Sequence, residues 1–215
     1  MTSAVALEMP PSHSIEELAA YTESLGANSP VSTSSIRGTS PLPLREMDPS
    51  ISAMLKDVEF LLDTVLALPQ DPSAWQVQKV QSMSKWVHGR LSGATEHTSS
   101  AKDLHRAVRL SSLMYCRAVQ ARKPFTRIIK DKDVVDLVDA VCKIPLEEWN
   151  DLLRTLIAVL AVVLPKARGM PQCYPTRVMM MAAAVHLALV DWSSVASVLS
   201  RILKLQAWLL GANQE

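Results

Sequence analysis

The chain has 215 residues, of which 48% are apolar and 20% charged, and this ordinary globular composition excludes disorder over the whole length. Lys and Arg number 22 and Asp and Glu 21, so the formal net charge of +1 excludes the strongly basic coat of many nucleic-acid-binding proteins. The three cysteines contain no Cys-x-x-Cys pair, which excludes a zinc-finger or thioredoxin-type motif.

Residues 1–50 differ in composition from the rest of the chain. They contain six Pro, ten Ser and four Thr, with six acidic and two basic residues. Few large apolar side chains are available there to offset the entropy of ordering. We therefore predict a mostly disordered, mildly acidic tail, with one short helix over Ser14–Leu25 that begins with a capping box. Residues 51–215 form the predicted folded domain.

From residue 51 onward, every periodic segment predicts a helix. The first runs from Ile51 to Leu66, and Pro69 ends it. Asp71 and Pro72 predict the start of a second helix, which ends near Leu91. Five further helices are predicted, at 101–122, from 131, at 146–164, at 176–190 and after 191, with a loop over 165–175. No segment shows the alternation of a strand, so the predicted fold class is all-α.

Two of these helices are apolar on nearly all sides. Leu156–Leu164 is an unbroken apolar run, and Val178–Val190 is interrupted only by His186. Both are shorter than the roughly 20 residues that cross a bilayer, so no membrane span is expected. An all-round apolar helix is typical of one surrounded by others. We predict an irregular multi-helix array built around a central apolar hairpin of Leu152–Leu164 and Val178–Val190.

Motifs for catalysis and for cofactors are missing from the sequence. There is no Gly-x-Ser-x-Gly elbow, no Walker or dinucleotide fingerprint and no His-x-x-x-His pair. The acids Asp131, Asp133, Asp136 and Asp139 lack the glycine and late glutamate of a calcium loop, and are interpreted as a solvated helix face. The prediction is a protein that is not an enzyme and has no catalytic residue, metal site or cofactor.

A basic cluster is the first candidate binding feature. Residues 101–132 hold nine basic and two acidic residues. On a helix, four of the basic side chains fall within a sector of about 80°. They are a candidate face for an acidic partner or, alternatively, a solvent face balanced by neighbouring acids: Lys102, Arg106, Arg109 and Arg117.

A second candidate is an effector pocket on the predicted sixth helix. Methionine is an adaptable packing residue, and a histidine in an apolar helix is a candidate for a perturbed pKa. The pocket would use Met180, Met181 and His186. The alternative is that the methionines and a hydrogen-bonded His186 belong to the core.

Three stretches, read in chain order, resemble one family. The first is Leu55–Leu62, the second Ala107–Ala118 with Pro124-Phe125, and the third Trp149–Leu153 continuing through the apolar hairpin to Asp191–Val195 and Val198–Leu203. This order is similar to the C-terminal end of the fungal-specific transcription factor domain, the large helical region of zinc binuclear cluster regulators.

The resemblance implies a nuclear, regulatory, all-helical domain that binds an effector or a partner protein. That partner would be a related regulator or a second copy of the chain. The six closely spaced cysteines of the family's DNA-binding module are absent from this sequence, so no sequence-specific DNA contact is implied. A gene model truncated before such a module would give the same sequence.

Two other functions remain open from the residues alone. One is a helical interaction module unrelated to transcription, with its basic helix on an acidic protein or a membrane surface. The other is a small-molecule-binding helical protein that uses the region Met179–His186. The cytoplasm is the alternative localisation to the nucleus.

Overall fold

The computed structural model describes residues 48–93 and 102–211, apart from the side chains of residues 146 and 151. Within these two ranges the regular elements are helices and no strand occurs, which confirms the all-α fold class. All of them belong to one compact unit of the chain, residues 42–215. The predicted tail, including the helix over Ser14–Leu25, lies outside the described residues up to residue 47.

Nine α-helices and one short 3-10 turn make up the described ranges. In chain order they are α1 (Pro49–Leu66), α2 (Ala74–Gly93), α3 (Lys102–Ala121), α4 (Phe125–Ile128), α5 (Asp131–Cys142), α6 (Leu146–Trp149), the 3-10 turn Asn150–Leu152, α7 (Leu153–Ala167), α8 (Cys173–Val190) and α9 (Trp192–Gly211).

The first two helices begin at capping residues. Asp48 accepts a hydrogen bond from the Ser50 amide at 2.8 Å, and Pro49 occupies the first helical position. For α2 the predicted start at Asp71-Pro72 is wrong. The reciprocal capping pair is Ser73 with Gln76, because each backbone amide donates to the other residue's side chain.

The core forms around α3 and α7. Helix α3 packs against α1, α2, α4, α5 and α7, and helix α7 packs against α3, α4, α5, α8 and α9. Buried residues cover most of the circumference of both helices. The predicted central position of the first apolar run is therefore confirmed by α7.

The predicted fifth helix and the loop after it differ from the structure. The segment 146–164 is not one helix but is divided into α6, the 3-10 turn and α7. The chain changes direction at Trp149, whose side chain is fully buried in the core. Pro165 does not end α7, which continues to Ala167, because a proline removes only one backbone hydrogen bond and this one lies in the last turn. The turn to α8 then uses Gly169, whose φ of +83° favours glycine.

The second helix of the predicted hairpin, α8, is also present, but other helices do not surround it. Helices α7 and α8 pack against each other as predicted. Only three of the 18 residues of α8 are buried, however, and its main neighbours are α7 and α9. The expectation that Val178–Val190 is surrounded by other helices is therefore wrong, because too few helices pack around α8 to cover it.

Candidate interaction surface on helix α8

One side of α8 is a continuous apolar stripe that faces solvent. Its members recur at intervals of three and four residues and fall within a sector of about 80° on a helical projection. We call this stripe the outer face of α8, and it consists of Tyr174 (77% exposed), Val178 (49%), Met181 (65%), Val185 (56%) and Leu189 (82%).

The opposite side of α8 attaches it to the domain. Thr176, Ala183 and Leu187 are buried there. Met179 reaches the end of α5, where its sulfur lies 4.0 Å from that of Cys142. Since these contacts hold the helix in place, the outer face is presented on a fixed support and not on a free segment.

The apolar surface is at the upper end of what a monomer ordinarily exposes. The five side chains of the outer face present on the order of 600 Å² at these exposures, and the largest patch on a typical monomer is about 300–600 Å². Val190 and Trp192 are also exposed, at 79% and 50%, but Val190 lies about 100° from Leu189 on a helical projection and so outside the stripe. A patch of this size is typical of a contact site.

The charged groups lie at the two ends of the outer face, and the exposed His186 lies beside it. Arg177 is the one Lys, Arg, Asp or Glu residue within α8, and it is exposed without an ion pair among the described residues. At the other end, Asp191 follows the helix and forms a 3.3 Å ion pair with Arg154. Hydrogen bonds from the hydroxyls of Ser193 and Ser194 lower the pKa of Asp191 to about 2, so this end carries a permanent negative charge at neutral pH.

The length and composition of α8 would also allow it to cross a membrane. It is the one helix within the described ranges with this property, having 18 residues and a mean hydropathy of 1.4. Eighteen residues rise about 27 Å, slightly less than the hydrocarbon core of a bilayer. Because α8 also packs along α7 and α9, no clear membrane span is indicated.

The four residues of the predicted basic face are divided between internal contacts and solvent. Arg109 donates to the carbonyl oxygens of Leu91 and Ser92 at 2.8 and 3.0 Å, and so caps the end of α2. Arg117 forms a 3.2 Å ion pair with Asp133. Lys102 is exposed and Arg106 is half-buried. Two of the four are thus engaged within the domain, and binding of an acidic partner by this face stays a prediction.

The three residues of the predicted effector pocket do not converge. Met180 is half-buried against the core, Met181 lies in the outer face, and His186 is exposed. The interpretation of His186 as a core residue is therefore wrong, and the histidine that is buried among the described residues is His105, on α3. The reason is that α8 lies at the surface, so its apolar sequence does not enclose its histidine.

The sequence does not distinguish four of the five residues of the outer face from the core or from a loop. It predicts a buried apolar run over Val178–Val190, which includes Val178, Val185 and Leu189, and a loop at Tyr174. A helix that is apolar on every side has either many neighbours or an exposed apolar face, and periodicity does not distinguish these two cases.

The fold and this surface together define an all-helical domain with an exposed apolar contact face. Among the residues described, no group of three or more His, Cys, Asp or Glu side chains is placed to hold a metal ion. Compared with known proteins, the chain matches no family model, no curated protein and no solved structure.

Proposed function

We propose that this protein is a helical interaction domain that acts through protein contacts and associates with a second copy of itself through the outer face of α8. The observation that carries the proposal is the apolar stripe itself, in which five large side chains are half to four-fifths exposed on a helix attached firmly to the core. Exposed apolar area of this kind is stabilised when another apolar surface covers it.

The size and shape of the stripe favour a second copy as the occupant. A standard interface buries about 800 Å² on each partner, and the outer face presents most of that area. The stripe has the spacing of a helix seam, so two copies of α8 can pack along each other around a two-fold axis.

The charges at the two ends favour an antiparallel pairing. Arg177 and Asp191 are 14 residues apart, and the midpoint between them, residue 184, lies within the outer face, between Met181 and Val185. A two-fold axis at that point would place each Arg177 near the Asp191 of the other copy. Antiparallel α8 helices would also oppose their dipoles favourably.

Sedimentation velocity on the full chain tests this proposal. We expect a dimer at micromolar concentration, and we expect Val185→Glu to give a monomer with unchanged helical circular dichroism, because a charge would be desolvated at the centre of the contact. Val135→Glu is the matched control, since Val135 is a 41% exposed valine on α5, and this variant should remain dimeric.

Three outcomes would contradict self-association. They are a wild-type chain that sediments as a monomer, a dimer that survives Val185→Glu, and a monomer that co-floats with phospholipid vesicles. The last would indicate that a lipid surface, and not a second copy, covers α8.

We further propose a regulatory role in the nucleus, as a transcription-regulator-like domain without its own DNA-binding zinc cluster. This role is supported by the ordered resemblance over Leu55–Leu62, Ala107–Ala118 and Trp149–Leu203. Localisation and affinity capture test it: the expected result is a nuclear protein that is recovered with a transcription regulator. A protein confined to the cytoplasm with no regulator among its partners would reject this role and leave the interaction domain standing.

A further inference from the structure

A cavity between four helices has the features of a small-molecule site. It has a volume of about 180 Å³ and lies between α1, α3, α7 and α9. Its wall is apolar and is formed by Val58, Leu62, Val159, Val198, Ile202 and Leu205. A dry apolar cavity of about 150 Å³ holds one benzene molecule, so this wall encloses the body of a molecule about the size of one six-membered ring.

The floor of the cavity contains hydroxyl groups from α3. Tyr115 donates to the carbonyl oxygen of Ala158 at 2.8 Å, and Ser111 donates to that of Val108 at 2.9 Å. Ser112 is only 2% exposed and also lines the cavity, so a polar atom of a ligand would lie near its hydroxyl.

The mouth of the cavity carries two guanidinium groups, from Arg154 and Arg201. Each is held by an acid that does not line the cavity. One Nη atom of Arg201 lies 2.5 Å from Asp63, and one Nη atom of Arg154 lies 3.3 Å from Asp191 and also donates to Ser194. A guanidinium has five N–H donors, so both side chains keep donors for a further acceptor.

The mouth offers a ligand free N–H donors and no excess of positive charge. Asp63 and Asp191 pair with the two arginines, and Glu59 is the one acid that lines the cavity. A second cavity of about 310 Å³ shares Leu55, Glu59, Arg154 and Thr155 with the first and adds Lys56 to its lining. Planar guanidinium groups bind carboxylates through paired hydrogen bonds, which fixes the orientation of the ligand as well as its charge.

We propose that this cavity binds a small amphipathic carboxylic acid, with its ring or short chain among the apolar wall residues and its carboxylate between Arg154 and Arg201. This site is separate from the outer face of α8 and goes beyond the interaction function.

Three probes with the same apolar body and different head groups test the proposal on the full chain: phenylacetate, 2-phenylethanol and phenethylamine. We expect phenylacetate to raise the melting temperature in a saturable manner and to give a measurable titration heat, with at least tenfold weaker binding of the other two. Equal binding of all three would overturn the assignment to carboxylic acids. No saturable response to phenylacetate up to roughly ten millimolar would overturn the site itself, since a ligand that binds the folded state must stabilise it.

Two variants locate the binding. Arg201→Gln should weaken phenylacetate binding at least tenfold, and Ala158→Leu should abolish it by filling the cavity. Arg168→Gln is the matched control, because Arg168 is exposed and lines neither cavity, and it should leave binding unchanged. Equal affinity in all three variants would place the ligand elsewhere and contradict the proposal. Helical circular dichroism identifies any variant that fails to fold, and in that case Arg154→Gln replaces it.

Discussion

At the scale of single residues, the start of α9 depends on one carboxylate. The Ser193 hydroxyl donates to Asp191 at 2.6 Å, and the Ser194 hydroxyl and amide donate to it as well. These bonds lower the pKa of Asp191 to about 2. Because the folded-state pKa is lower than the unfolded value, the stabilisation is complete above about pH 4 and is lost as the pH falls toward 2.

We therefore expect Asp191→Asn to melt at a lower temperature than the wild type at pH 6, with the difference shrinking to nothing near pH 2. Thermal unfolding followed by circular dichroism between pH 6 and pH 2 measures this. Asp71→Asn, at an exposed loop acid, is the control and should melt like the wild type throughout. A difference that persists at pH 2 would show that the carboxylate charge is not the cause.

The three cysteines differ in how far their side chains are exposed to solvent. Cys116 is fully buried on α3, and burial raises its pKa to about 12, whereas Cys142 is exposed at the end of α5. The thiolate is the reactive form, so Cys116 is inert while the domain is folded. We expect native alkylation at pH 8 to modify Cys142 and to reach Cys116 only in denaturant. Peptide mass spectrometry checks this, and labelling of both cysteines at equal rates would contradict it.

At the scale of helices, α7 and α8 are both apolar in sequence, but they differ in how many helices surround them. Leu160 lies at the centre of α7 and is fully buried. Truncation there removes packing on every side, so we expect Leu160→Ala to lower the free energy of unfolding by about 2–5 kcal/mol. Leu203→Ala is the matched control, because Leu203 lies on α9 and is 37% exposed. This variant should lower the free energy of unfolding by clearly less. Urea titration measures both, and equal losses would contradict the central position of α7.

The end of α2 depends on a residue from another helix. The two hydrogen bonds from Arg109 satisfy carbonyl oxygens that a helix terminus leaves open. We expect Arg109→Met to destabilise the domain by about 1.5–3 kcal/mol, the range for hydrogen bonds to charged groups. Arg106→Met, one turn away on the same helix, should cost less. Equal and small losses would indicate that the two hydrogen bonds of Arg109 do not stabilise the end of α2.

At the scale of the whole molecule, self-association would couple folding to concentration. If a dimer forms only from folded chains, mass action stabilises the folded state as protein concentration rises. We expect the melting temperature of the wild type to increase between about 1 and 100 µM, and that of Val185→Glu to stay constant. Differential scanning calorimetry measures this, and a constant wild-type melting temperature would argue against the dimer.

Much of the fold followed from local signals in the sequence. The spacing of apolar residues predicted the main helices, and Pro69 placed the end of the first within a few residues. These features are local because each helical hydrogen bond joins residues four apart. Two predicted helix boundaries are wrong. Helix α2 begins at the Ser73–Gln76 capping pair and not at Asp71-Pro72. The segment predicted as one helix over 146–164 is divided near the buried Trp149.

The sequence by itself determined that the domain is helical and that α7 and α8 are both apolar. Only the tertiary structure decided that α7 is enclosed while α8 exposes its outer face, and that Arg109 and Arg117 bind within the domain. It also brought Ser112, Arg154 and Arg201 to one cavity from three separate helices. The physical reason is that helix formation depends on neighbouring residues, whereas burial depends on how many distant segments pack around a helix.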